Sequence, residues 1–499
     1  MLPLLALCLL LCPLLTWGQT YFNERYPHNG VTSSFTAITP SDSGFVLAGQ
    51  TRPNPNQPRL DLLIRFLDPL GQLVRSRSYG QDGFTYFPSW CGGLVPVQGG
   101  GYAMAASRGD SANKVSVLWR FNALGDTLWT RTFRRPNNRW LILYSCKQLP
   151  NGDFILGGGE RLNMATAATD AVLIRTDSLG NVRWERSYNV GYTDVTYDVQ
   201  LTTDGGFLLG GYSYATQQRV QNDGLLIKVD SAGTQQWFSL LGGPYSGEGA
   251  FGIPTRDGGY LAVGGRTTAV VAMFEETRPV FYKLDGEGNL VWQRMYGPAR
   301  FGTYLFRVHE LADGSFIAAG QQAQSRSNNS QEGILVKICA DGDSLWYRSY
   351  RKLQGAGSSD YLRDLLPTAD GGFVGAGFLH ALPPDPGTHD GWLFKVDSAG
   401  YLQAGGAPVT VQCRPTGVKD EAVTDELEVW PNPSVDGRFY LRVSLNAGLQ
   451  VLDALGRLVW KGQAPAGEAT VDLAAQPPGI YMLRITEQSG HIQTHRLLR

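Results

Sequence analysis

Gly206-Phe207-Leu208-Leu209-Gly210-Gly211-Tyr212 recurs along this chain, slightly reworded, for a total of seven copies. The others are GFVLAGQ from Gly44, GYAMAAS from Gly101, DFILGGG from Asp153, GYLAVGG from Gly259, SFIAAGQ from Ser315 and GFVGAGF from Gly372. In chain order their first residues lie 57, 52, 53, 53, 56 and 57 positions apart. Self-similarity at such a period signals a repeat architecture and outranks any local reading.

The surroundings of the word repeat with it. In the fourth copy an alternating run, TYDVQLTT (Thr196 to Thr203), leads into Asp204-Gly205 and the word itself. DGLLIKVD (Asp223 to Asp230), a turn at Ser231-Ala232-Gly233 and TQQWFSLLGG (Thr234 to Gly243) follow. That makes four short β runs per repeat. Asp-Gly-Gly marks a tight hairpin, because glycine adopts positive φ at no steric cost. Asp-Ser-Ala-Gly marks a type I turn closing on a left-handed glycine. The fourth run carries Trp-x-Arg-x-Tyr at Trp184/Arg186/Tyr188, Trp292/Arg294/Tyr296 and Trp346/Arg348/Tyr350. A period of two places these three side chains on one face, where the aromatics cover the gap to the next sheet and the Arg lies over them.

Seven four-stranded units of this length predict an all-β fold, a seven-bladed β-propeller. The seventh copy lacks a fourth run after Gly400. Phe22 to Tyr26 keeps the aromatic-to-Tyr spacing, so residues 20–27 are expected to supply the missing strand and close the ring without a bare edge. The propeller is assigned residues 19–403, with a linker over 404–427 that mixes Gly, Pro and charge. From residue 428 to 499 short alternating strands around WPNP (Trp430 to Pro433) and Pro477-Pro478-Gly479 predict a small β-sandwich.

Composition agrees with an exported β protein. Only 17% of residues are charged and 42% are hydrophobic, the reverse of a disordered chain. The net charge is -1 and no Lys/Arg run occurs, which argues against nucleic acid or an anionic membrane as partner. Residues 1–18 read as a signal peptide, with an apolar run from Leu2 to Leu15 and cleavage after Gly18. No later stretch is long and apolar enough for a transmembrane helix. The remaining cysteines allow two bridges, Cys91–Cys146 and Cys339–Cys413, with buried free thiols as the alternative. A monomer is expected.

The words WPNP, Gly437 to Tyr440, VLDALGRLV (from Val451), DLAAQPPGIYMLRI (from Asp472) and the basic last strand resemble the type A C-terminal sorting domain of the type IX secretion system of Bacteroidetes. The repeats resemble DGGY-type propeller repeats that accompany such tails. The resemblance implies Sec-dependent export, passage across the outer membrane through the type IX machinery, and a secreted or cell-surface location. Asp-Ser/Thr followed by a small or aliphatic residue, as at Asp177-Ser178-Leu179 and Asp230-Ser231-Ala232, resembles the O-glycosylation signal of such exported proteins. Plain turn chemistry explains the same residues.

Function is expected on the loops before the first strands and between the second and third, which are long and differ among the repeats. Tyr86, Trp90, Trp140, Tyr192, Tyr245 and Tyr304 are the candidate contacts, since exposed rings suit sugar faces or protein hot spots. A binding module for glycan or protein is the leading reading. The alternative is a glycoside hydrolase, with Asp194, Glu248, Asp360 and Asp364 as candidate carboxylates near the channel. No cofactor is expected, with Ca²⁺ as a possibility at the same carboxylates. HExxH, GxSxG, Walker and Rossmann fingerprints are absent from the sequence.

Overall fold

The structure is a computed structural model. It describes residues 20–28, 31–57, 59–90, 92–109, 114–136, 139–161, 168–216, 222–242, 247–271, 274–324, 330–353, 357–380, 389–404, 429–430, 434, 436–443, 446–453, 457–465, 467–487 and 492–499. The proposed signal peptide, residues 405–427 of the linker and Tyr245 lie outside them. Every element is a β-strand, and no α-helix occurs among the described residues. Two compact units divide the chain, Met1–Val418 and Lys419–Arg499.

In the larger unit each repeat pairs its strands antiparallel in chain order. The third and fourth repeats are joined into one eight-stranded sheet by a parallel pair, Thr169 with Thr193. The second sheet has five strands because its first strand is split into Thr85–Pro88 and Leu94–Pro96, and the fifth because Arg300–Phe301 is added. The fourth repeat is typical, with Thr193–Leu201, Phe207–Tyr214, Asn222–Val229 and Gln235–Leu241. Its two middle strands are buried almost throughout while the outer one is largely exposed. Sheets stacked on both faces demand this. It is why the repeated word is a continuous apolar run and not an alternating one. The last repeat supplies Ser359–Pro367, Phe373–His380 and His389–Val396, and Phe22–Tyr26 pairs antiparallel along His389–Val396. Phe35, Leu47 and Leu63 of the first repeat pack with Val374, Ala376 and Leu393 of the last in one core cluster. The series of sheets thus returns on itself, a β-propeller-like all-β fold.

Two turn devices recur. Gly205 adopts a φ of +79° between the first and second strands, and the Asp204 carboxylate accepts from Gly206 N and pairs with Lys228 on the third strand at 2.7 Å. Asp257 with Lys283 and Asp370 with Lys395 repeat that pair. Partial burial works to raise the Asp204 carboxyl, but hydrogen bonds from Lys228, Thr202 and Gly206 override it and hold it at about 2. Between the third and fourth strands, Asp230 Oδ1 accepts from the N–H groups of Ala232 and Thr234 at 2.9 and 2.8 Å, leaving Gly233 at a φ of +81°.

The fourth-strand pattern is a joint between neighbours. Tyr188 donates to Gly233 O, the turn of the next repeat, at 2.8 Å. Tyr79 to Gly125, Tyr296 to Gly342, Tyr350 to Gly400 and Tyr26 to Gly71 repeat it. The guanidinium groups of Arg131, Arg186, Arg294 and Arg348 lie over Trp129, Trp184, Trp292 and Trp346 of their own strands.

Cys146 is a buried free thiol whose Sγ donates to Gly93 O at 3.5 Å, so the expected Cys91–Cys146 bridge does not form. Its place on the first strand of the third repeat puts it in an apolar core with Leu143, Leu156 and Val172. Burial pushes its thiol up to about 12. Cys339 takes part in a disulfide. Its expected partner Cys413 lies outside the described residues, as does Cys91.

In the smaller unit, Val429–Trp430, Arg438–Val443 and Gly467–Asp472 form one sheet, and Leu458–Ala464, Ala447–Leu452, Ile480–Glu487 and Ile492–Leu498 another. Phe439, Leu441 and Val471 from the first and Leu449, Val451 and Leu483 from the second share one core. Burial alternates strictly along Ala447–Leu452, the signature of a strand with one face on a core.

Candidate functional site: an aromatic collar above a buried ion-pair cluster

The first strands are all irregular at one level. Pairing with the second strand skips a residue at Thr36, Tyr144, Tyr197, Phe306 and Arg363, and skips Gly249 and Ala250 in the fifth repeat. In the second repeat the same level is an interruption between Thr85–Pro88 and Leu94–Pro96, and Trp90 lies within it. A bulge leaves one residue unpaired and re-aims its side chain.

The repeated word encodes this bulge. A Cβ on Gly49, Gly211, Gly320 or Gly377, each the sixth residue of its copy, would stand 1.7 to 1.8 Å from a carbonyl oxygen of the bulging first strand. Only glycine admits so close an approach. In the second repeat, where the strand is interrupted instead, the sixth position is Ala106.

Four of the re-aimed side chains, Tyr144, Tyr197, Phe306 and Arg363, meet in a collar with Trp90, Phe251, Tyr361 and Phe378. Tyr144 and Tyr197 ring centres are 5.0 Å apart, Tyr197 stacks on Phe251 at 6.0 Å, and Phe251 meets Phe306 edge-on at 6.0 Å. The Arg363 guanidinium lies 5.0 Å from the Phe306 ring centre and 4.8 Å from that of Trp90. Tyr361 and Phe378, themselves stacked at 4.7 Å, hold the same guanidinium at 5.5 and 5.4 Å. The collar therefore runs through the third to seventh repeats and reaches the second. Tyr144, Tyr197, Phe306, Tyr361 and Phe378 are half-buried, while Trp90 is 55% exposed.

One residue further along the strands lies an ion-pair cluster. Arg307 Nε donates to Asp364 Oδ1 at 2.8 Å and its Nη1 to Asp198 Oδ2 at 3.3 Å. Asp364 also accepts from Ile38 N at 2.9 Å, and Asp198 from Gln200 Nε2 at 2.6 Å. All three charged groups are buried. Beneath Arg307, His309 Nε2 is 2.8 Å from Leu365 O. Burial, then the Arg307 charge, lowers the imidazole to about 4.

The expected site residues disperse. Trp90 joins the collar. Tyr304 touches it through Phe306, at 6.4 Å. Tyr86 is a correction: it is 3% exposed and packs on Trp119 in the core between the first two repeats, because its strand pairs with Tyr102–Gly109 instead of forming a loop. Trp140 lies under Arg161 at 4.7 Å, and Tyr192 ties its loop to Tyr214 O through its N–H at 2.7 Å. Asp194 accepts from Val190 N and Gly191 N at 2.7 and 2.9 Å, which clasps the loop before its strand. Asp360 clasps the corresponding loop through Lys352 N and Leu353 N at 2.5 and 3.2 Å. Its Oδ1 is buried without a hydrogen-bond partner, and burial raises its carboxyl to about 6. Asp364 is held by Arg307. For Glu248 the structure describes only backbone pairing, with Gly265. Among the described residues, no three or more His, Cys, Asp or Glu gather so as to hold a metal ion.

Tyr144, Tyr197, Phe306 and Arg363 were not among the expected contacts. Each sits seven residues before the Asn or Asp that opens the hairpin turn, at Asn151, Asp204, Asp313 and Asp370. Aligning the repeats on that turn would have exposed the column.

Residues 428–498 match the family described as secretion system C-terminal sorting domain. This sorting domain supports an exported protein, secreted or on the outer surface, and implies interaction with the type IX machinery. No helix among the described residues is long and apolar enough to cross a membrane. No curated protein matches the chain. Among solved structures, a protein of unknown function from Dyadobacter fermentans is similar at 12% identity and a TM-score of 0.42, over 74% of this chain and 96% of that one. An α-L-arabinofuranosidase of Fusarium graminearum is similar at 11% and 0.42, over 77% and 100%. An α-L-arabinanase of Penicillium chrysogenum is similar at 12% and 0.40, over 76% and 98%.

Proposed function

We propose that the repeats form a seven-bladed β-propeller closed by the N-terminal strand, and that it serves as an exported binding module for glycan. The sorting domain delivers it to the cell exterior by type IX secretion. The observation that carries the reading is the collar. Half-buried aromatic faces from the third, fourth, sixth and seventh repeats converge there around the buried ring of Phe251, and Tyr144, Tyr197 and Tyr361 add hydroxyl groups at their tips. Flat apolar faces edged with hydroxyls suit a sugar ring, whose C–H faces stack while its hydroxyls hydrogen-bond.

A glycan array probed with the full chain tests it. Retention of at least one glycan, lost in the Tyr197→Ala/Phe306→Ala double variant with the melting temperature kept within a few degrees, supports the module. Retention unchanged by that variant removes the collar from the function.

One observation favours the hydrolase as a second reading. Asp360 keeps one buried oxygen without a partner and a raised pKa, as a general acid requires. Against it, Asp194, Asp198 and Asp364 are engaged by backbone N–H groups or Arg307, and Glu332, whose charge acts on Asp360, accepts from Gln322 Nε2 at 2.6 Å. Release of reducing sugar from a retained glycan, abolished by Asp360→Asn, would establish the enzyme.

A further inference from the structure

We infer that the collar is blind: it takes one end of a saccharide chain and does not let the chain thread through. The inference rests on the binding reading above and adds the mode of engagement. Its basis is the cluster around Arg307. The side chain starts in the sixth repeat and bonds Asp198 of the fourth and Asp364 of the seventh at 3.3 and 2.8 Å. The backbone N–H of Ile38, from the first repeat, reaches the same Asp364 at 2.9 Å. Gly92, from the second, approaches so closely that a Cβ there would stand 1.5 Å from Arg307 Nη2. Groups from five repeats thus crowd around Arg307, next to the collar. A polymer passing the collar would have to part buried, paired charges.

The chemistry at the rim narrows the ligand further. Arg363 already occupies the cation's place among the rings of Trp90, Phe306, Tyr361 and Phe378. A basic ligand would be repelled by that positive charge, whereas a neutral or carboxylate-bearing sugar end would not. Arg307 offsets one of the two carboxylates of Asp198 and Asp364, and Arg363 offsets the other, so these four groups leave no net negative charge to draw a cation in.

The test uses the full wild-type chain and an array carrying each linear oligosaccharide twice, coupled through its reducing end and through its non-reducing end. Closed cyclic glucans are included as chains without ends. A blind collar retains linear members in one orientation at least tenfold better than in the other, and retains no cyclic member. Equal retention in both orientations, or retention of a cyclic member, overturns the end-on mode while the binding module stands. No retention of any member overturns the binding reading and this inference with it.

Discussion

The Tyr26 hydroxyl donates to the Gly71 carbonyl at 2.6 Å, which ties the N-terminal strand on the last repeat to the turn of the first. It is the same joint that Tyr188 makes with Gly233 inside the chain. The strand is also held by Asn23, whose Oδ1 accepts from Trp392 Nε1 at 2.7 Å, and by the ion pair of Arg25 with Asp390 at 2.6 Å. Tyr26→Phe should cost about 1 kcal/mol, the worth of one hydrogen bond. Deleting residues 20–27 removes the whole strand and uncovers the His389–Val396 edge, so it should cost several times more. Denaturant unfolding of the two variants gives the comparison. A truncated protein as stable as the full one would refute closure by this strand.

Gly377→Ala should destabilise by about 3 kcal/mol, in the range of strained backbone sites. Its Cβ would stand 1.8 Å from the Tyr361 carbonyl, and the bulge cannot move without shifting Arg363. Ala106→Gly, at the same position of the word, should cost only about 1 kcal/mol for backbone entropy. Similar costs for both would mean that the bulge does not set the glycine.

Arg307→Met should cost about 3–5 kcal/mol, because it strands two buried carboxylates. Adding Asp198→Asn and Asp364→Asn to it should restore much of the loss. A triple variant as unstable as the single one would show that Arg307 acts by packing and not by charge. Urea midpoints at neutral pH decide between these.

His309 and Asp360 should bend stability against pH in opposite directions. The folded imidazole titrates at about 4 against an ordinary 6.5, so the unfolded chain binds the extra proton between these values. Stability from neutral His309 is complete above pH 6.5 and is lost as pH falls towards 4. His309→Gln should flatten that decline. Folded Asp360 titrates at about 6 against an ordinary 3.8, so the folded chain binds the extra proton and gains stability as pH falls through that window. Asp360→Asn should remove that gain. Melting temperatures measured from pH 4 to 7 give both slopes, and unchanged slopes would contradict the assignments.

Much of the fold was legible because it is written in backbone chemistry. Asp204-Gly205-Gly206 states its hairpin, and Phe22 to Tyr26 carries the spacing of an outer strand, so its pairing partner could be named. The collar was harder to read. Tyr197 and Phe306 lie inside strands, and a bulge cannot be seen in one repeat alone. Exposed aromatics were therefore sought in the loops, where Trp90 alone among the described candidates joins the collar. Tyr86 misled because its neighbours Phe84, Thr85 and Phe87 read as loop. The acidic candidates misled for another reason. Asp194 and Asp360 do stand at strand starts, but backbone N–H groups in the preceding loops claim them. Asp364 looked free because its partner Arg307 comes from a different repeat, 57 residues away.

The tyrosine joint has two gaps. Phe133 stands where a tyrosine would reach Gly180, and Leu241 where one would reach Gly288, which takes a bond from Ser239 Oγ instead at 2.6 Å. The circle is thus welded unevenly. Pulled or heated, it should part first at the seam after Phe133 and come away in arcs of several repeats, so that proteolytic fragments of the exported protein begin near residue 134 more often than their share of the sequence predicts.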